Sequence, residues 1–179
     1  MTHTKKMINY RPAGTDLFLE KTESIVNAVN CEGISGAGIA YFVSIEFPKE
    51  TKVYERMCAD KAIAPGIVGV IPAKPTAGNP NIKYIFALPT IGTFRDFKKL
   101  DYAGKLNLVK IGLEDLRRVL LTMPELKSIS IPALGCGVAG LKWGDVKPII
   151  EEFLSDVPQD VFVIEPRDKG KKEDYDEEG

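Results

Sequence analysis

Histidine is almost missing from this chain: of its 179 residues one is a histidine, His3, and it lies in a terminal segment expected to be loosely held. A Ser/His/Asp triad, a Cys/His dyad and a zinc site built on several imidazoles are therefore excluded as the chemistry of the protein. Cysteine is scarce and unpatterned. Cys31, Cys58 and Cys136 form no CxxC pair, and an odd number without a leader-like segment points to a reducing, cytoplasmic setting rather than a disulfide scaffold. No stretch approaches the ~18 consecutive apolar residues that a membrane span requires, so no membrane association is expected. An excess of charge of one sign is lacking too. The formal net charge is −1, which argues against a protein whose main work is gripping a nucleic-acid backbone, although one modified nucleotide could still be recognised.

What is present is ordinary globular material, with 44% hydrophobic and 27% charged residues. The length suits one domain. Strands are expected at Lys5 to Arg11, Ser24 to Asn30, Gly66 to Pro72, Lys83 to Leu88, Ser128 to Ala133 and Asp160 to Glu165. Helices are expected at Ile39 to Phe47, Lys49 to Asp60, Tyr102 to Leu121 and Asp145 to Leu154. The segment Ala73 to Asn81, rich in Pro, Gly and Asn, reads as a hairpin loop, and Thr90 to Lys99 as a polar loop. This alternation predicts an α/β fold, a three-layer α/β/α sandwich around a mixed, mostly parallel sheet. Residues 1–166 form that domain in this reading, and 167–179 a charged, solvated tail.

Two glycine-rich segments follow strands and precede helices. The first runs Asn27-Ala28-Val29-Asn30-Cys31-Glu32-Gly33-Ile34-Ser35-Gly36-Ala37-Gly38-Ile39-Ala40. Glycines let backbone N–H groups approach an anion, and the helix that follows offers free amides and a favourable dipole, as a diphosphate requires. On spacing alone, a tight strand-to-helix turn capped by asparagines explains this segment equally well. Neither the GxGxxG nor the P-loop spacing is present. The second segment is Pro132-Ala133-Leu134-Gly135-Cys136-Gly137-Val138-Ala139-Gly140. Cys136 between two glycines invites a nucleophile reading. No cation or histidine stands beside it in sequence to lower its pKa, so structural packing is the better account. Two such units in one short chain could enclose both sides of a diphosphate and a ribose.

The run VNAVNCEGISGAGIAYFVSIEFP, followed far downstream by IPALGCGVAGLKW, resembles the macrodomain family. It is most similar to the branch of antitoxin-type macrodomains acting on ADP-ribosylated DNA and to a yeast ADP-ribose-1″-phosphate phosphatase. The likeness spans about residues 8–166. It implies an ADP-ribose ligand, free or attached to nucleic acid or protein, no cofactor, and a monomer. It also implies site residues. Asp16, beside Leu17, would accept from the adenine amino group, and the Glu165–Pro166 end of the last strand would flank that ring. Asn27 and Asn30 would order the first loop, with Asn30 facing the distal ribose and stabilising charge as the candidate catalytic side chain. Gly36, Ala37, Gly38 and Ile39 would present amides to the diphosphate. Gly135, Cys136, Gly137, Val138, Ala139 and Gly140 would close the other side, with Thr90 bordering the distal ribose.

Two positions depart from the family's catalytic pattern. DNA-acting members carry a lysine directly after a Pro-Thr pair, whereas this chain reads Pro89-Thr90-Ile91. A human member has an aspartate where Ala139 stands here. Lys98 and Lys99 could substitute only if the Gly92–Phe97 loop folded back. Three functions follow from the resemblance: hydrolysis of an ADP-ribosyl linkage on nucleic acid or protein, dephosphorylation of ADP-ribose-1″-phosphate, or binding without turnover. Outside the motifs, Trp143 is expected to pack its helix against the sheet, and Phe94 with Arg95 to offer an exposed contact to a nucleotide or to anchor their loop.

Overall fold

The computed structural model describes residues 5–167; His3 and the charged tail from residue 168 onward lie outside the described residues. Six strands form one sheet: β1 (Asn9–Arg11), β2 (Ser24–Val29), β3 (Gly69–Pro72), β4 (Tyr84–Pro89), β5 (Ser128–Ile131) and β6 (Asp160–Ile164). Their spatial order is β1-β6-β5-β2-β4-β3. Every pairing is parallel except β3 with β4, where the Pro- and Gly-rich segment closes the expected hairpin.

Alternation along the strands divides the core in two. Ile25 and Val29 of β2, with Ile85 and Ala87 of β4, face Val43 of α1 (Gly38–Glu46), Tyr54 of α2 (Pro48–Ala59) and Phe47 at the junction between the two helices. Val26, Phe86 and Leu88 point the other way. They meet Val109, Leu113, Leu116 and Leu120 of α4 (Tyr102–Leu121), and Val146 and Ile150 of α5 (Trp143–Leu154). The result is the expected three-layer sandwich. Helix α4 has the predicted bounds, because the Asp101 carboxylate caps it by accepting from Gly104 N–H at 2.8 Å. Gly112 in its middle lets it lie against β4: a Cβ there would stand 2.7 Å from Leu88 Cδ2.

Several expectations need correction. The segment 90–99 is not simply a polar loop, since it contains a short helix, α3 (Phe94–Phe97), capped by the Thr93 hydroxyl accepting from Asp96 N–H at 3.1 Å. Strand β3 starts at Gly69 rather than Gly66, because Gly66 adopts a left-handed φ of +79° in a separate turn. Strand β1 is confined to Asn9–Arg11, where partners on β6 exist. Helix α5 begins two residues early, at Trp143, whose ring packs edge-on to Tyr10 at 6.3 Å.

Candidate functional site

Strands β5, β2 and β4 are neighbours and run parallel, so their carboxyl ends deliver three loops to one edge of the sheet. This is where an α/β sheet presents its ligand crevice.

The first loop leaves β2 at Asn30, and the side chain of that residue shapes it. Asn30 Oδ1 accepts from the N–H groups of Glu32 (3.0 Å) and Ile34 (3.2 Å), while Nδ2 donates to the Ile34 carbonyl at 2.8 Å. From beneath, the buried Tyr54 hydroxyl on α2 donates to the Asn30 carbonyl at 2.7 Å. Gly38, at φ +60°, turns the chain into α1. No side chain caps that helix and its first turn holds no acid, so its leading amides open toward the crevice.

The second loop is pinned from below by Leu134, Cys136, Ala139 and Leu141, all buried in the α4/α5 core. Leu141 N–H donates to the Gly135 carbonyl at 2.9 Å, and Gly140 N–H to that of Gly137 at 3.0 Å. Gly135 is required: it holds φ +71°, and a Cβ there would come within 2.5 Å of Leu141 Cδ1. Val138, by contrast, is 76% exposed at the loop's tip.

The third loop continues β4. Thr90 N–H donates to the Val29 carbonyl at 3.0 Å, and Thr90 and Ile91 are both buried. Two bonds tie it to the first loop: Cys31 N–H to the Gly92 carbonyl at 2.9 Å, and Phe94 N–H to the Glu32 carboxylate at 3.0 Å. Glu32 is thereby a strut rather than a free acid.

Together these loops enclose a cleft of about 320 Å³. Of the residues expected in the site, Asn30, Gly36, Ala37, Gly38, Ile39, Thr90, Gly135, Gly137, Val138 and Ala139 line it. Asp16, Leu17, Asn27, Cys136 and Gly140 do not. Asp16 is exposed, its carboxylate accepting from Phe18 N–H at 2.9 Å, and Leu17 is buried in the α1/α2 core. Asn27 is 3% exposed on the β2 face that carries Ile25 and Val29, and its Oδ1 has no hydrogen-bond partner. Glu165 N–H donates to the Arg11 carbonyl, at the end of the β1–β6 pair. Ala28, Val29, Ile34, Ala40, Ile91, Pro132 and Ala133 also line it and were not singled out as ligand contacts, and Phe94, expected as an exposed contact or a loop anchor, stands at its rim. Of the residues not singled out, all but Ile91 lie inside the two glycine-rich segments and Ile91 directly follows Thr90, so position within or beside a motif was the only available signal.

The chemistry of the lining is unusual in what it omits. Asn30 and Thr90 are its only polar side chains, and none of its residues is titratable. Lys98 and Lys99 are exposed beyond α3 and do not reach it. The thiols offer no nucleophile either. Burial, reinforced by Cys58 and Glu32, pushes Cys31 up to about 11, so it stays protonated near neutrality. Burial raises Cys58 too, against the Tyr54 and Gly33 hydrogen bonds. Cys136 is buried with its Sγ 3.6 Å from the Leu134 carbonyl. Among the described residues no group of three or more His, Cys, Asp and Glu side chains could hold a metal. No described helix is long and apolar enough to cross a membrane.

An apolar crevice walled by glycine-rich loops, at the carboxyl edge of a three-layer sandwich, has the form suited to a phosphorylated ligand met by backbone amides. Comparison with known families narrows that class: residues 26–150 match the Macro domain family, and the chain belongs to it. It is 32% identical over 166 residues to a DNA ADP-ribosyl glycohydrolase of Mycobacterium tuberculosis, covering 93% of this chain and 44% of that protein. It is 22% identical over 162 residues to an ADP-ribose 1″-phosphate phosphatase of Saccharomyces cerevisiae, covering 78% of this chain and 89% of that one. Among solved structures, the macrodomain of M. tuberculosis DarG superposes with a TM-score of 0.74 at 30% identity, over 90% of this chain and 99% of the other. The chain spans less than half the length of the glycohydrolase it matches.

Proposed function

We propose that the cleft holds the ADP-ribosyl group of an ADP-ribosylated nucleic acid and that the protein hydrolyses its attachment. The observation that carries the ligand is the uncapped start of α1 facing the glycine loop Gly135–Gly140, a concave surface of backbone amides suited to a diphosphate. The likeness to a DNA ADP-ribosyl glycohydrolase supports the substrate. In this reading Thr90 and the remaining Nδ2 proton of Asn30 border the distal ribose. Gly36 to Ile39 and Gly135 to Ala139 face the diphosphate from its two sides. Asp16 lies outside the lining and would meet the adenine end.

The reaction cannot run through a lysine in the loop after β4, because Ile91 fills that position and is buried. Water would instead attack the anomeric carbon of the distal ribose as the bond to the base breaks. A diphosphate oxygen of the substrate would accept the proton and the departing base would take it up. The protein's part is to place the ribose and the water, and to stabilise developing charge with fixed amides.

A second reading is binding without turnover, favoured by a lining that holds no titratable side chain. Calorimetric titration with ADP-ribose, followed by chromatography of a reaction with an ADP-ribosylated DNA oligonucleotide, separates the two. Binding with release of ADP-ribose and unmodified oligonucleotide supports hydrolysis. Binding without release establishes the non-catalytic module, and phosphate released from ADP-ribose-1″-phosphate would mark a phosphatase. No binding at all would remove both readings.

A further inference from the structure

We propose that α3 and the residues flanking it form a docking surface for the single-stranded nucleic acid on either side of the modified nucleotide. This inference rests on the reading of the cleft just given, but on different residues. Phe94 belongs to both: it lines the cleft, yet is 36% exposed at its rim. Immediately beside it stand Arg95, Lys98 and Lys99, all exposed and none in an ion pair among the described residues. Lys105 lies close by, its Nζ 5.0 Å from the centroid of the Phe97 ring.

Charge on this surface differs from that of the molecule. The whole chain carries a formal −1, but residues 94–105 hold four basic side chains against two acidic ones, Asp96 and Asp101. Asp101 caps α4, and nearby Glu32 and Asp145 accept from Phe94 N–H and the Tyr102 hydroxyl. Asp96 alone remains as an exposed acid without a side-chain partner of this kind. An excess of unpaired cations around a rim aromatic suits a phosphate backbone whose bases are free to stack. Across the cleft, the exposed Val138 adds an apolar edge against which a second base can rest. A duplex fits less well, because its bases are already stacked on each other.

The position of α3 is held by the first loop through Glu32 and the Cys31–Gly92 bond, so the strand surface and the cleft are mechanically one unit. A strand that engages Arg95, Lys98 and Lys99 is thus presented at a fixed distance from the ribose subsite. That arrangement makes nucleic acid, rather than free ADP-ribose, the matched substrate.

The test is fluorescence anisotropy with a labelled, unmodified ten-nucleotide single-stranded DNA across a salt series, alongside calorimetry with ADP-ribose. The variants are Arg95→Glu/Lys98→Glu/Lys99→Glu and, in case reversal disturbs α3, Arg95→Gln/Lys98→Gln/Lys99→Gln. Wild type should bind the strand more tightly than the matching duplex. The reversed variant should lose at least about tenfold, and three lost phosphate contacts should lower the slope of log affinity against log salt by about 2. ADP-ribose affinity should stay within twofold in both variants, since none of these side chains lines the cleft. Strand binding that is absent in wild type, or unchanged in the variants, would overturn the proposal. So would equal binding of the duplex, or of a poly-glutamate decamer with the same losses. Failure of ADP-ribose binding in wild type would instead strike the cleft reading, and is measured separately.

Discussion

Introducing a carboxylate at position 137 should abolish the ligand affinity of the cleft with little effect on its fold. Gly137 lines the cleft, has no left-handed backbone requirement, and a Cβ added there meets nothing within 4 Å. Gly137→Ala is therefore a steric control expected to bind as wild type. Gly137→Asp places a negative charge against the position assigned to the diphosphate. At about 5 Å, and with an effective dielectric between about 20 and 80, each charge pair costs about 0.8–3.3 kcal/mol. That corresponds to a loss of about fourfold to a few hundredfold in affinity, and two phosphate charges put the expectation at tenfold or more. Gly38 is a poorer site for the experiment, because its φ of +60° adds backbone strain to any side chain. Calorimetry with ADP-ribose at low salt reads the loss, and circular dichroism confirms the fold. In ~1 M salt, where the screening length shrinks to about 3 Å, the gap between the Ala and Asp variants should narrow. A folded Gly137→Asp protein that binds ADP-ribose within threefold of wild type would refute the placement of the diphosphate between the loops.

Gly135→Ala should destabilise by about 2–3 kcal/mol, from left-handed strain plus the clash with Leu141; thermal melting should show a fall of roughly 5–10 °C. Tyr54→Phe removes the hydroxyl under the Asn30 carbonyl and should cost about 1 kcal/mol in urea unfolding, with a weaker ADP-ribose affinity as the first loop loosens. Glu23 is pushed up by burial, but Lys127 N–H and the Lys83 ammonium outweigh this and hold its carboxyl below the ordinary value of 4.5. Its stabilising effect is thus present above that value and is lost as pH falls through the lower, folded one. Glu23→Gln should accordingly be less stable than wild type at pH 7, and the gap should shrink as pH falls below 4.5; a gap that widens on acidification would contradict the assignment.

How much of this was legible in the sequence depended on whether the cause was local. Helix α4 announces itself through leucines at helical spacing and an aspartate cap, and both causes lie within its own residues. The hairpin between β3 and β4 was legible for the same reason, as were the two glycine-rich loops. Helix α3 was not. It is four residues long and depends on the Thr93 cap and on Glu32, whose carboxylate is 62 positions from the amide it accepts. The burial of Thr90 and Ile91 was equally hidden, because it follows from β4 lying between β2 and β3. Asn30 was legible as a loop residue, but not the extent to which its amide is committed to holding Glu32 and Ile34.

That commitment bears on how the site divides its work. The cleft is lined almost wholly by glycine backbone and apolar side chains, so side-chain identity there is constrained by shape rather than by charge. Such a lining can hold a diphosphate and a ribose, yet it supplies no group able to take or give a proton near neutral pH. Discrimination among molecules that all contain ADP-ribose must then come from what projects beyond the lining. On this protein Arg95, Lys98 and Lys99, exposed and in no ion pair among the described residues, supply such projecting charge on the rim beside Phe94. Ile91, which removes the possibility of lysine chemistry, and the α3 rim lie in one continuous segment after β4. The segment that departs from the catalytic pattern of the DNA-acting members is therefore the one that would select the substrate.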